Sequence, residues 1–287
     1  MKKTQCWLLL PLLISTGARL SYVQATTHTY DLTEGRYTEV SETPSDSSII
    51  NINRENATAT RLTGLKIASP EAAITFITGL SPDKYEYNTT IEDSSIGNLI
   101  LTGDEPYTEK HININRSNMN TIEFTNNMTV ILGGNVNVSE ISGAEGSANT
   151  IMQNSGTVGY ASNITTLVNF GTIDGMSDVS NVYNRETGTI QKKTPDKIEM
   201  TSLINKGTIK LSNTAVMDLR SDLHHVNGMK NEGTITASDE SYMTLSGDTK
   251  LVNSGVITEQ NRTGEMSVLN IAPFNKGSVW RSKKIVR

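Results

Sequence analysis

From residue 151 onward, short apolar runs alternate with one recurring polar phrase, Asn-x-Gly-Thr-Ile or a close variant. Six copies keep this spacing, and the copy at 184–190 has two extra residues between Asn and Gly. The copies begin at Asn154, Asn169, Asn184, Asn205, Asn231, Asn253 and Asn275. From glycine to glycine the periods are 15, 17, 19, 26, 22 and 22 residues, in or near the range of a repeat built from one supersecondary unit.

Each part of the phrase predicts a structural task. The apolar residues before the Asn, and the Val or Ile after the Gly, suit a half-buried pleated surface and are expected to line a core. Asn-x-Gly predicts a turn, because Asn bonds nearby backbone and Gly adopts positive φ without steric cost. When equivalent circuits stack, the repeated Asn side chains are expected to form a hydrogen-bonded ladder.

The spacing therefore predicts an all-β chain coiled into a parallel β-helix, with strands stacking at roughly 4.8 Å per circuit. About a dozen circuits are expected along the chain. A β-sandwich or barrel is the alternative, although a hairpin array favours strand spacings of about 8–12 residues.

The residues before 147 show short alternating strands without the clean phrase, and are expected to form irregular N-terminal circuits over 26–146. The predicted strands are Ser48–Asn53, Asn98–Gly103, His111–Asn115 and Met128–Val138. Ser69–Ile77 is compatible with a short helix, capped by Ser69 with Pro70 at its first position, and equally with a loop entering a strand. Pro82–Thr90 predicts a protruding loop around Tyr85 and Tyr87.

The first residues have the pattern of an export signal, expected over 1–25. Lys2 and Lys3 precede an apolar run, and Val23-Gln24-Ala25 has small residues where a signal peptidase cuts. Cleavage nearer Ala18 is the alternative. Cys6, the single cysteine, lies inside this segment, so disulfides are not expected in the mature chain. The apolar run is too short for a permanent membrane span.

A signal peptide followed by Asn-x-Gly-Thr-Ile repeats resembles the passenger region of type V secreted proteins, the autotransporter adhesins of Gram-negative bacteria. The resemblance implies a right-handed β-helix displayed on the outer membrane by a C-terminal β-barrel. The repeat region is expected to end near residue 279. Residues 280–287 form a basic tail, without the amphipathic strands that such a barrel needs. A shortened or split passenger is therefore an open alternative to a complete protein.

Charge and motifs exclude several function classes. The formal net charge of −5 argues against a nucleic-acid partner, which requires a basic face. The sequence has no Gly-rich phosphate loop, Gly-x-Ser-x-Gly elbow, calcium nonapeptide or zinc pattern. No cofactor or metal is therefore expected.

A carbohydrate-active β-helix enzyme needs converging carboxylates with a cation nearby. The candidate sets are Asp174 with Asp178, Asp218 with Asp222 and Arg220, and Asp239 with Glu240. For each set, a solvated turn between strands is the simpler interpretation. The adjacent His224 and His225 would point to opposite faces of a strand, and a loop in the 26-residue period explains them better than a metal site.

We therefore expect a non-enzymatic, secreted or surface-displayed adhesin-like protein, with periplasmic retention as the alternative location. Its expected partners are host-cell or matrix surfaces, or sister bacterial cells. These would be engaged along one long strand face or through loops near Tyr85 and His224. The alternative functions are a polysaccharide lyase or hydrolase, and a truncated passenger without a function of its own.

Overall fold

The computed structural model describes the backbone of much of the chain after residue 25. The described residues are 26–31, 38–40, 47–53, 59–63, 66–67, 72–77, 87–103, 110–125, 128–147, 150–192, 197–220, 229–239, 241–246, 249, 251–260, 269–271, 281–282 and 285–286. Side chains are described within 89–258, again with gaps. The proposed export signal lies outside these residues.

The described secondary structure consists of β-strands, and no helix occurs within these ranges. The strands are β1 Thr26–Asp31, β2 Thr38–Val40, β3 Ser47–Asn53, β4 Ala59–Thr63, β5 Lys66–Ile67, β6 Ala72–Ile77, β7 Tyr87–Glu92, β8 Ser95–Gly103, β9 Lys110–Asn115, β10 Asn118–Phe124, β11 Met128–Leu132, β12 Asn137–Gly143, β13 Ile151–Asn154, β14 Thr157–Asn169, β15 Thr172–Ile173, β16 Met176–Asn184, β17 Thr189–Lys192, β18 Lys197–Asn205, β19 Thr208–Leu211, β20 Val216–Arg220, β21 Met229–Asn231, β22 Thr234–Ser238, β23 Tyr242–Ser246, β24 Leu251–Asn253, β25 Val256–Gln260, β26 Leu269–Ile271, β27 Arg281–Ser282 and β28 Ile285–Val286.

The strands pair in parallel, each with the equivalent strand one circuit further along the chain, in three columns. The Asn face is the column β2-β4-β7-β9-β11-β13-β14-β16-β18-β21-β24-β27. The Thr face is β5-β8-β10-β12-β14-β15-β17-β19-β22-β25-β28. The third face is β1-β3-β6-β8-β10-β12-β14-β16-β18-β20-β23-β26.

This pairing confirms an all-β chain with parallel strands and is consistent with a parallel β-helix. Long strands bend from one face to the next. β14, for example, pairs in the Thr face at Val158, in the third face at Ala161 and in the Asn face at Leu167. The Asn face has twelve strands among the described residues, matching the expected dozen circuits.

Of the two alternatives for Ser69–Ile77, the structure agrees with a loop entering a strand, because Ala72–Ile77 is a strand and not a helix. Two other expectations for the N-terminal half are wrong in detail. Tyr87–Glu92 is a strand, so residues 87–90 do not belong to the predicted loop, and residues 82–86 lie outside the described ranges. The apolar run Met128–Val138 is two strands, separated by a turn at Gly134-Asn135. The strands predicted at 48–53, 98–103 and 111–115 are confirmed.

The core runs continuously along the coil, because each inward side chain stacks on its equivalents in the neighbouring circuits. On the Thr face one such row is fully or almost fully buried and consists of Val138, Val158, Ile173, Ile190, Ile209, Ile235 and Ile257. Alternate positions point outward, which gives burial patterns such as iBeB in β19. A circuit cannot bury its apolar face alone, so this core depends on stacking.

The predicted Asn ladder is confirmed, and it lies inside the coil at the turn between the Asn face and the Thr face. Each described rung donates its side-chain Nδ2 to the next Oδ1, at 2.7–2.9 Å, from Asn154 through to Asn253. These asparagines are 0–4% exposed. Second hydrogen bonds from Nδ2 to backbone carbonyls, such as Asn184 to Thr208 O at 3.2 Å, satisfy amides that would otherwise be costly to bury.

The expected reason for the repeated glycine is wrong. None of the described Asn-x-Gly glycines has a positive φ; Gly146 is the one glycine within the described ranges that does. The cause is close stacking, because a Cβ on Gly233 or Gly255 would lie 2.1 Å from the carbonyl oxygen of the equivalent glycine one circuit earlier. Only glycine lets the turns approach at the strand-stacking distance.

Candidate functional site

A cleft of about 290 Å³ opens where the third face bends into the Asn face. It crosses three consecutive circuits, β16, β18 and β20. Its charged lining residues are Asp178, Glu199, Asp218 and Arg220, above the buried side chains of Val179 and Met200. Glu199 pairs directly with Asp218 in the register, and Val179 pairs with Met200 next to Asp178. The coil thus stacks three carboxylates at intervals of one circuit, roughly 4.8 Å each.

Asp218 is held rigidly in this cleft. Its side chain is 4% exposed. One oxygen accepts from the Arg220 guanidinium at 3.1 Å, and the other accepts from Thr244 Oγ1 at 3.0 Å. Like charges on neighbouring strands repel, so these two donors stabilise Asp218 beside Glu199. The Arg220 guanidinium beside it has a side chain 64% exposed and can contact polar groups of a ligand.

The sequence pattern predicted part of this cluster. Asp178, Asp218 and Arg220 were candidates, but in different sets, and Glu199 was not among them. The repeat spacing could have revealed Glu199, because Glu199 and Asp218 are 19 residues apart, which is close to the length of one circuit. Aligning the third-face strands by their buried residues would have placed them side by side.

Two other candidate acids, Asp174 and Asp239, do not line the cleft. Asp174 lies apart from Asp178, exposed on the Thr face, where it accepts a hydrogen bond from Gln191 Nε2. Asp239 is exposed at a turn with φ of 58° and accepts from Asn213 N at 3.1 Å. The solvated-turn interpretation holds for these two. Asp222, Glu240, His224 and His225 lie outside the described residues.

A buried lysine at the end of β17 was also missed. Lys192 is 4% exposed and occupies an inward position, paired with Leu211. Its Nζ lies 5.0 Å from the centre of the Tyr160 ring, within cation–π range. A Cβ on Gly175 would lie 2.9 Å from this Nζ, so a glycine at that position leaves room for the ammonium.

The Thr face presents a regular outward row of hydroxyl groups. Thr157, Thr172, Thr189, Thr208 and Thr234 pair one with the next along the coil, and all are at least partly exposed. Val256 follows them in the same row. The row repeats one chemical group at one-circuit intervals over five circuits.

Charged side chains stack beside the Asn-x-Gly turns. Lys206 Nζ lies 3.5 Å from Glu186 and 4.0 Å from Glu232, and Lys230 also contacts Glu232. The hydrogen bond from Lys230 holds the pKa of Glu232 below its ordinary value. A backbone hydrogen bond, helped by Lys206, does the same for the pKa of Glu186. These groups are exposed, so each pair stabilises the coil little.

Comparisons with protein-family models, curated proteins and solved structures find no match to this chain. Within the part of the chain that the structure describes, no helix is long and apolar enough to cross a membrane. The same residues contain no group of three or more His, Cys, Asp or Glu placed to hold a metal ion.

Proposed function

We propose that this chain is an exported, right-handed parallel β-helical surface protein that acts by contact, like an autotransporter passenger. Its partners are glycans or proteins on host cells and matrix, or the surfaces of sister cells. The predicted export signal and the repeat phrase support this assignment.

The observation that carries the proposal is the row of outward threonines on the Thr face. Hydroxyl groups in fixed register can each donate and accept a hydrogen bond, and a row of them gives many weak contacts to a repetitive ligand. The buried core and Asn ladder hold this row in place, so little entropy is lost on binding.

Binding of the purified chain to host-cell monolayers, immobilised matrix proteins and glycan arrays tests the proposal. Thr172→Val, Thr189→Val and Thr208→Val together remove three hydroxyls while keeping β-branched strand formers, and Val256 shows that valine fits the row. The matched control carries Thr→Ser at the same positions. We expect the valine variant to bind about tenfold or more weakly and the serine variant to bind almost normally. Unchanged binding by the valine variant would refute the Thr row as the contact surface.

The cleft favours a second candidate function, a carbohydrate-active enzyme. Asp178, Glu199 and Asp218 place acids around one cavity, with Arg220 available for a sugar carboxylate. Acid–base cleavage of a glycosidic bond needs paired carboxylates of this kind.

Incubating the chain with uronic-acid and neutral polysaccharides tests this second candidate by release of reducing ends or unsaturated products. Glu199→Gln and Asp218→Asn should abolish any cleavage, whereas Asp174→Asn, outside the cleft, should not. Cleavage that depends on Glu199 would replace the contact proposal, and an absence of cleavage across the panel would remove the enzyme candidate.

A further inference from the structure

The turn at 184–188 departs from the repeat phrase. It has two extra residues, and it begins with Arg185 after the Asn, where the preceding copy has Phe170. Arg185 N donates to Asn169 O at 2.8 Å, so the two turns lie directly against each other in neighbouring circuits. Thr187 Oγ1 donates to Phe170 O at 2.8 Å and holds the longer turn on the shorter one. Insertions in a solenoid map to surface loops, and such loops often carry binding groups.

The Arg185 side chain stacks on an aromatic ring and leaves one buried donor unsatisfied. Its guanidinium carbon lies 5.8 Å from the centre of the Tyr183 ring, within cation–π range. Its Nε is buried and has no hydrogen-bond partner. The carboxylate of Glu186, next in the chain, forms its ion pair with Lys206 Nζ at 3.5 Å. A buried donor without an acceptor costs stability, and an anion bound to the same guanidinium would offset that cost.

Two aromatic side chains lie beside Arg185. Phe170 is 38% exposed, and Tyr183 is half-buried on the outer side of the Asn face. Phe170 is the only apolar residue at its position in the seven copies of the phrase, which otherwise have Ser, Arg, Lys or Glu there. An exposed ring at a turn adds little to the core but offers a large apolar contact area to a ligand. Phe170, Tyr183 and Arg185 together are called the Arg185 site.

We propose that the Arg185 site binds an acidic glycan. Arg185 holds a carboxylate or sulfate group of the ligand, and the sugar ring packs against Phe170 and Tyr183. A guanidinium binds such an anion through two parallel hydrogen bonds. The aromatic rings contact the apolar C–H face of the sugar, which a free inorganic anion lacks.

The Thr face favours a sugar chain over an acidic peptide as the ligand. Thr172 follows Phe170 by two residues and pairs with Thr189 in the next circuit, so the outward row of hydroxyl groups runs beside the Arg185 site. A row of hydroxyls is best matched by a ligand with hydroxyls along its whole length, and a sugar chain has them on every ring. In this respect the inference rests on the proposed contact function.

Binding of the purified chain to four immobilised polymers tests the site. The anionic groups of hyaluronan are carboxylates and those of dextran sulfate are sulfates, whereas dextran is a neutral sugar chain and polyglutamate is an acidic chain without sugar. We expect binding to hyaluronan or dextran sulfate, and binding to dextran and polyglutamate that is weaker by about tenfold or more. The acidic glycan that binds more tightly identifies the anion.

Two charge-matched substitutions separate the site from general electrostatic attraction. Arg185→Gln should weaken binding to the preferred acidic glycan by about 10- to 100-fold, because it removes charged hydrogen bonds. Lys206→Gln removes the same charge one circuit away, at a lysine that already pairs with glutamates, and should weaken binding by less than about threefold. Circular-dichroism melting curves check that each variant folds.

Two further variants test the geometry of the site. Arg185→Lys keeps the charge but loses the paired hydrogen bonds, so it should bind more tightly than Arg185→Gln and more weakly than the wild type. Phe170→Ser introduces the residue that two other copies have at this position, and it should weaken binding by about threefold or more through the lost ring contact.

Three results would overturn the proposal. These are binding to neither acidic glycan above the level of dextran, equal losses from Arg185→Gln and Lys206→Gln, and binding to polyglutamate as tight as to the acidic glycans. The last would assign the site to acidic peptides.

Failure of the site and failure of the proposed contact function give different results. Binding to cells or neutral glycans that the threonine-to-valine changes abolish, but Arg185→Gln leaves unchanged, would refute the Arg185 site and keep the Thr row. Acidic-glycan binding that depends on Arg185 and not on the threonines would support the site and refute the Thr row as the contact surface.

Discussion

The Asn ladder leads to a quantitative prediction about the stability of the coil. Asn205 accepts from Asn184 Nδ2 and donates to Asn231 Oδ1, both at 2.7 Å, and it is fully buried. Asn205→Leu removes both bonds, together with the one from Asn205 Nδ2 to Thr234 O at 3.4 Å, and leaves Asn231 Oδ1 buried without its ladder donor. Leucine fits sterically, because Leu132 occupies the equivalent place one circuit before the ladder begins.

The expected cost follows from these bonds. Three lost hydrogen bonds contribute about 1 kcal/mol each, and a buried acceptor left without its donor adds about 1–3 kcal/mol. Burial of the leucine side chain returns about 1.5–3 kcal/mol. The free energy of unfolding should therefore fall by about 1–4.5 kcal/mol.

The matched control is a solvent-exposed copy of the same interaction. Asn137 Nδ2 donates to Asn118 Oδ1 at 3.0 Å between neighbouring circuits on the surface. Asn137→Leu should cost less than about 0.5 kcal/mol, because water replaces the lost bond. Urea unfolding followed by circular dichroism gives both values if the slopes are equal. Equal losses in the two variants would refute burial as the source of the ladder's strength.

Three further predictions concern other parts of the coil. Gly233→Ala should destabilise the chain by more than about 2 kcal/mol, because its Cβ would lie 2.1 Å from the Gly207 carbonyl oxygen. Gly134→Ala should cost little, because the atom nearest to its Cβ would be 3.9 Å away. Parallel urea titrations compare the two variants, and equal losses of stability would contradict the close-approach argument. Ile209→Ala should lower the free energy of unfolding by about 2–5 kcal/mol, because it leaves a cavity in the core. Lys210→Ala, at an exposed position, should change thermal unfolding little. A small effect at Ile209 would mean that the core collapses into the cavity. Lys230→Ala should raise the pKa of Glu232 towards its ordinary value. In the wild type, the stability from this lowered pKa is present above the unfolded-state pKa and is lost as pH falls through the folded-state pKa. Carbon-13 NMR titration of the glutamate carboxyls measures the shift, and an unchanged titration would exclude Lys230 as the cause.

The repeat phrase was sufficient to predict the parallel β-architecture and the Asn ladder. Both depend on a local pattern that recurs about once per circuit, so equivalent residues in each copy occupy equivalent positions in the structure. The pattern was less informative where it is irregular. Ala72–Ile77 contains good strand formers behind a helix-start signal, and pairing with β3 and β8 makes the segment a strand. The run Met128–Val138 is continuous in sequence but must turn a corner of the coil.

The candidate surfaces depend on register, which sequence spacing alone did not fix. The circuits range from 15 to 26 residues, so the residues that stack above one another are known only once the strands are paired. Pairing brought Glu199 to Asp218 and separated Asp174 from Asp178. The role of the repeated glycine also became clear only from stacking, because a carbonyl oxygen one circuit away leaves no space for a Cβ atom at this position. Amino-acid pattern thus determined which residues are core and which are turn, and the tertiary structure decided which surface groups act together.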